Sequence, residues 1–289
     1  MTQLHWPFLG SEALTAKSIT ERAMRRLYQA VYPDVYVPCG VKISASQRAE
    51  AAWLWSRRRG IVGGQSAAAL LGAKWVNPSQ PAELIYDNRR SPPLVTVHTA
   101  TLLPAEVVDV GGIPVTSPAR TAFDIGRRTS SRLLAVQRLD ALANATDVKA
   151  ADVEAVMAHH PGARGLVRLR KVLPLVDGGA ESPQETRTRL ILTDAGLPAP
   201  HTQIVVLDEF GDFVARVDMG YEELRIGVEY DGPQHWTDPE TRTADILKAV
   251  KLQDLGWIII RVNRDILRYQ RATFEERVRA AMRTRGCRV

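Results

Sequence analysis

Long hydrophobic runs are missing from this chain. Its longest apolar stretches, AAALLGA and WIIIRV, fall far short of the roughly 20 residues that cross a bilayer. The N-terminus has no secretory signal pattern. Only two cysteines occur, Cys39 and Cys287, remote in sequence and in no disulfide or metal spacing. Internal repeats and long low-complexity tracts are absent too. A membrane helix, a membrane partner, a disulfide-stapled secreted fold and a zinc ribbon are thereby excluded, and a cytoplasmic protein is expected.

What remains is 289 residues, 45% apolar and 24% charged, enough for two domains that each bury a core. The net charge of +6 hides an asymmetry. Residues 1–176 carry 22 Lys and Arg against 13 Asp and Glu, whereas residues 177–289 carry 16 against 19. A basic half suits polyanions and an acidic half suits concentrated carboxylates, although an arginine-rich composition explains the first equally well. The segment VLPLVDGGAESP (172–183), with its Gly pair and Pro, is the natural boundary, giving domains 1–176 and 177–289.

In the first half, helices are expected at 11–30, 44–58 and 64–72, with a strand at DVYVP between the first two. Strands follow at ELIYD and LVTVHT. EVVDVGGIPVT alternates about Gly111-Gly112, a hairpin signal. Ser117-Pro118 opens a further helix, and others follow near 130–144, 150–159 and 164–173. The second half reads as a helix from Pro183 to about Ala195, strands at 202–208, 213–219 and 224–231, a helix from Asp238-Pro239 to Gly256, the buried strand WIIIRV and a helix near 272–284. That is an α-β-β-β-α-β-α order.

The segment VEYDGPQHW concentrates the chemistry. Glu229 and Asp231 lie two apart in a strand, on one face and roughly 6–7 Å from each other, where like charges repel unless a cation intervenes. Asp218 closes the preceding strand. To join the other acids it needs a bend, which Met219-Gly220 is expected to supply by breaking that strand. Three converging carboxylates make a hard, oxygen-rich site for Mg²⁺, with Mn²⁺ as the alternative metal. Plain structural roles stay open for each residue. Ser182 and Glu185 have capping-box spacing, Asp218 can end a strand, Asp231-Gly232 is an ordinary turn pair, His235 can pack beside Trp236, and Lys248 sits on a charge-rich helix.

The same residues carry a resemblance. ESPQETRTRLILTDAGLP, ARVDMGY, VEYDGPQHW and LGWIIIRVN resemble the PD-(D/E)XK nuclease core over about 181–284, and within it the DUF559 family, itself similar to very-short-patch-repair endonucleases. The resemblance implies a restriction-endonuclease-like αβββαβ fold and Mg²⁺-dependent cleavage of DNA phosphodiesters. It implies Asp218 and Glu229 as metal ligands, beside Asp231, with Glu185 contributing from the first helix. Where the superfamily has a lysine this chain has Asp231, so the catalytic cation is expected from His235, with Lys248 second. Gln234 lies in the same turn and is expected among the nucleic-acid contacts.

The basic half resembles a second family. VYPDVYVP, GGQSAAALLGA and GGIPVTSPARTAFDIGRR look like the AbiEi-type antitoxins of type IV toxin–antitoxin systems over roughly 20–130. That family couples a DNA-binding winged helix to a domain for regulation or partner contact. About 30 residues precede VYVP, fewer than a full helix-turn-helix with a wing, so a degenerate winged-helix start to an α+β domain is expected. Arg57, Arg58, Arg59, Arg89 and Arg90 are candidate DNA contacts, although arginines at helix ends also satisfy terminal carbonyls. The expectation is a Mg²⁺-dependent endonuclease-like protein acting on DNA, its basic half positioning nucleic acid or a protein partner. The alternative is a non-catalytic DNA-binding regulator with an inactive nuclease fold.

Overall fold

A computed structural model describes residues 5–88, 90–232 and 239–287, with only the backbone course given for 239–244. The fold is mixed α/β, and the chain packs as two units, Met1–Val176 and Asp177–Val289.

The first unit opens with β1 (Phe8–Leu9), α1 (Gly10–Thr15), α2 (Glu21–Leu27), β2 (Tyr28–Tyr32) and β3 (Val35–Pro38). The single helix expected over 11–30 is therefore two helices and a strand. Lys17 sits at φ +52°, which a helix cannot continue through. The Thr20 hydroxyl accepts from the Ala23 N–H at 3.2 Å and starts the second helix afresh. Tyr28 pairs opposite Pro38 in an antiparallel hairpin, and the sheet runs β1-β3-β2. Both helices are short, so two helices and a hairpin fit within residues 8–38. Phe8, Ala13, Ile19 and Met24 form its core.

Next come α3 (Ala45–Trp55), β4 (Ile61–Val62), α4 (Gly64–Leu70), β5 (Ala82–Ile85), β6 (Val95–His98), β7 (Val107–Val110) and β8 (Ile113–Thr116), in a sheet ordered β6-β5-β4-β8-β7. Ser44 and Gln47 make a reciprocal capping box on α3. Gly111 and Gly112 turn the β7–β8 hairpin at φ +62° and +85°, positive at both central positions as a type I′ turn requires. Four helices finish the unit: α5 (Pro118–Arg128), α6 (Arg132–Thr146), α7 (Ala150–His159) and α8 (Leu166–Val172). Phe123 of α5, Leu139 and Leu142 of α6 and Leu169 of α8 are fully buried.

The second unit contains α9 (Pro183–Asp194), β9 (His201–Leu207), β10 (Phe213–Tyr221), β11 (Ile226–Tyr230), α10 (Pro239–Asp254), β12 (Ile258–Val262), α11 (Arg264–Tyr269) and α12 (Arg271–Thr284). The strand order is β12-β11-β10-β9, with β11 and β12 parallel and the other pairs antiparallel. The core is built on Met219, Ile226, Val228, Leu192 and Phe274. Met219-Gly220 does not break β10, which runs on to Tyr221. Gly220 is there because β11 approaches too closely for a side chain: a Cβ would lie 2.1 Å from the Ile226 carbonyl oxygen. Asp218 consequently needs no bend. Met219 pairs with Val228, so one further step along the antiparallel register places Asp218 opposite Glu229.

Candidate functional site

The acids of the second unit meet at the centre of its sheet. Ser182 caps α9, its hydroxyl accepting from the Glu185 N–H at 3.2 Å. The Glu185 carboxylate accepts from the Glu181 N–H at 2.9 Å and from Gln203 Nε2 at 3.3 Å, so it has a capping role and also faces the sheet. Asp218 Oδ2 accepts from the Tyr230 N–H at 2.7 Å. Glu229 is 7% exposed and receives Lys248 Nζ on Oε1, with Arg261 Nε 3.7 Å from Oε2. Lys248 also donates to the Arg216 carbonyl at 3.4 Å, and Arg216 pairs with Glu181 at 3.0 Å.

Burial lifts the Glu185 carboxyl above its ordinary value, and the charges of Asp218 and Glu181 add to the rise despite bonds from Glu181 N–H and Ser182. Burial likewise lifts Asp218. The Tyr230 N–H and Lys248 oppose this, and Glu229 and Glu181 reinforce it. The site thus holds more negative charge than Lys248 offsets.

The structure brings Glu185, Asp218, Glu229 and Lys248 into one electrostatic cluster. Asp231 follows the end of β11, where its N–H donates to the Val262 carbonyl at 2.7 Å. Among the described residues no set of three or more His, Cys, Asp or Glu side chains is arranged to hold a metal ion. The expected trio of Asp218, Glu229 and Asp231 is therefore not brought together as a three-carboxylate group; Asp218 turns one oxygen to the Tyr230 N–H and Glu229 one to Lys248. Gln234 and His235 lie outside the described residues, as does Arg89.

The candidate arginines of the first unit are largely engaged in holding it together. Helix α3 ends at Trp55, before the expected 58, and Arg57 and Arg58 follow at φ +57° and +61°. Arg57 pairs with Asp34 at 2.8 Å and donates to the Ser11 hydroxyl at 3.2 Å. Arg58 grips Glu12 with both terminal nitrogens, at 2.5 and 2.7 Å, and lies over Trp53. Arg59 lies over Tyr86, and the Arg90 N–H donates to Asn88 Oδ1 at 3.0 Å. Arg57 and Arg58 thus staple the end of α3 to α1 and the β2–β3 turn.

Helix α2 presents a different surface, with Arg22, Arg25 and Arg26 exposed and only Met24 buried. Arg25 pairs with Glu21 at 3.0 Å. The Arg25-Arg26 pair is visible in sequence. Its place on a separate helix follows from the Thr20 cap, which starts α2 after the left-handed Lys17.

The motif SPARTAFDIGRR maps onto a buried ionic network. Arg120 is 2% exposed and pairs with Glu106 at 2.5 Å and Asp124 at 3.0 Å. Asp124 also receives Arg127 at 2.6 Å and Arg128 at 3.2 Å, and His160 reaches Glu106 at 2.6 Å. Burial alone would raise Glu106, but the Leu103 N–H, His160 and Arg120 together hold it below its ordinary value.

Residues 60–175 match the AbiEi antitoxin C-terminal domain. The chain is also 30% identical over 213 residues to two Mycobacterium tuberculosis proteins, uncharacterized protein MT2308 and uncharacterized protein Rv2248, covering 74% of this chain and 78% of each of them. It belongs to the family of these mycobacterial proteins, within which it carries an AbiEi antitoxin C-terminal domain. No solved structure matches it. No helix among the described residues is long and apolar enough to cross a membrane.

Proposed function

We propose that this protein is a DNA-binding regulator of the antitoxin type, in which residues 8–38 contact DNA and the AbiEi domain contacts a protein toxin. The observation that carries this reading is a pair of short helices followed by a hairpin, exposing Arg22, Arg25 and Arg26 on α2, upstream of an AbiEi antitoxin C-terminal domain. Short helices with basic exposed faces reach groove and phosphate, and a neighbouring hairpin can follow the backbone. Fluorescence anisotropy on duplexes from the flanking genomic region tests it. Arg22→Ala/Arg26→Ala should weaken binding and flatten its salt dependence by about one unit of slope per lost phosphate contact. Duplex affinity and salt slope equal to those of the parent would refute it.

A second reading is favoured by the Lys248–Glu229 pair beside Asp218. In it the second unit binds Mg²⁺ or Mn²⁺ and hydrolyses a phosphodiester. Mg²⁺ is satisfied by one or two carboxylates with water completing its shell, so Asp218 and Glu229 suffice, and the excess negative charge favours a cation. The metal would polarise a phosphoryl oxygen and lower the pKa of a bound water. Lys248 would hold Glu229 in place and face the phosphate, and Glu185 would orient water. Plasmid nicking with Mg²⁺, Mn²⁺ and chelator tests this. Asp218→Asn should abolish metal-dependent nicking with the fold intact, and equal inertness of parent and variant in every metal leaves the regulator standing alone.

A further inference from the structure

The first unit contains a cavity that the reading above does not use. It has a volume of about 640 Å³ and is lined by Val97, His98, Thr99, Arg127, Arg128, Gly162 and Arg164. The end of β6 contributes His98, the last turn of α5 contributes Arg127 and Arg128, and the α7–α8 connection contributes Arg164. We propose that this cavity binds a phosphate monoester, as carried by a mononucleotide.

The argument rests on charge, donors and size. Three guanidiniums line one wall system, whereas the acids behind them are already shared. Asp124 serves Arg120, Arg127 and Arg128. Glu83 serves His98 at 2.9 Å, and Arg128 only at 3.9 Å. Arg128 Nη1 is buried and has no hydrogen-bond acceptor. Burial lowers the Arg128 pKa, and Arg127 and Arg120 lower it further while Asp124 and Glu83 oppose them, so this cation is under-compensated. Arg164 is exposed, and among the described residues its side chain makes no hydrogen bond or ion pair. The carboxyl end of α5 carries the wrong partial charge for an anion, but only about half a unit, and Asp124 and Glu83 offset the arginines only in part.

Guanidinium forks match the several oxygens of a phosphate dianion better than they match a single carboxylate. The depression opens to solvent and has room for a nucleoside beside the phosphate, pockets of roughly 300–1,000 Å³ holding ligands of that size. Val97 and Thr99 supply a less polar wall beside the arginines.

Calorimetric titration of the full chain with inorganic phosphate, AMP and adenosine tests the proposal. Saturable binding is expected for phosphate, tighter binding for AMP and none for adenosine. Arg164→Ala should weaken AMP by roughly tenfold or more, the worth of a charge-assisted hydrogen bond, without moving the unfolding midpoint, because that side chain supports nothing else. A 5′-phosphorylated oligonucleotide compared with its 5′-hydroxyl twin separates a nucleic-acid terminus from a free nucleotide as the source. The proposal is overturned if neither phosphate, AMP nor the 5′-phosphorylated strand binds. It is equally overturned if Arg164→Ala binds AMP like the parent, or if succinate binds as tightly as phosphate, which would point to an acidic protein segment instead.

Discussion

Arg120→Met tests whether the motif SPARTAFDIGRR acts through its buried charges. Arg120 is 2% exposed, and its guanidinium bonds Glu106 at 2.5 Å, Asp124 at 3.0 Å and the Thr101 carbonyl at 3.1 Å. Methionine keeps much of the length and removes the charge. Deleting one partner of a buried pair costs about 3–5 kcal/mol, mainly because the other charge stays buried. Here both carboxylates keep company. Glu106 retains His160 and the Leu103 N–H, and Asp124 retains Arg127 and Arg128. The expected loss is therefore at the low end, about 3 kcal/mol. At about 2–4 °C per kcal/mol for a unit of this size, the midpoint should fall by roughly 6–12 °C. Calorimetry should resolve two transitions, because two units need not unfold together, and only the first unit's should move. A loss below about 0.5 kcal/mol, the size of an ordinary surface change, would show that the network contributes little.

The two units should respond oppositely to acid. Glu106 is held below its ordinary 4.5, so the stability it contributes is present above that value and lost as pH falls through its folded pKa. Glu83 behaves alike, since His98, the Gln65 N–H and Arg128 outweigh its burial. Glu185 and Asp218 are raised above 4.5 and 3.8, so what they contribute is full at low pH and lost as pH rises through their folded values. Calorimetry across that range should show acid lowering the first transition while these two groups favour the second, and parallel behaviour of Asp218→Asn and the parent would contradict the second half. Gly220→Ala would drive a Cβ to 2.1 Å from the Ile226 carbonyl, so the second unit should lose on the order of 2–4 kcal/mol in urea unfolding, whereas an unchanged midpoint would mean that β10 and β11 separate at little cost.

Elements whose boundaries rest on local chemistry could be read from the sequence. Ser44 and Ser117 each present a hydroxyl to a first turn, and Gly111-Gly112 supplies the two positive φ values of a tight hairpin. The N-terminal segment was harder, because 11–30 has no Gly or Pro to interrupt it. What divides it is Lys17 in a left-handed conformation and a threonine cap, and a lysine at positive φ has no sequence signature. Gly220 carries a related ambiguity. A glycine inside a strand pattern signals either a break or a close approach of another backbone, and only the neighbouring strand decides which. Helix α11 is too short to show a period in the sequence, although Asn263 caps it by accepting from the Ile266 N–H at 2.9 Å.

The acids of the second unit were legible because a strand alternates faces, so the pairing of Asp218 with Glu229 follows once the hairpin register is known. The cation beside them was not legible from spacing. A strand-borne lysine would stand two residues after Glu229, where this chain has Asp231. Helix α10 packs against β10 and β12, and that places Lys248 within reach of Glu229 from nineteen residues along the chain. In sequence Lys248 is one charge among many on a polar helix, and nothing in that pattern marks it off from a solvated side chain. Its position is a tertiary fact. Lys248 offsets one carboxylate while burial keeps Asp218 and Glu185 raised, with Glu229 and Glu181 adding to the first and Asp218 and Glu181 to the second. Glu185 also accepts from the Glu181 N–H and Asp218 from the Tyr230 N–H, so both acids have structural partners as well. Only the metal-dependent assay of Asp218→Asn separates that structural role from a functional one, because a backbone N–H is accepted by the carbonyl of Asn as well as by a carboxylate.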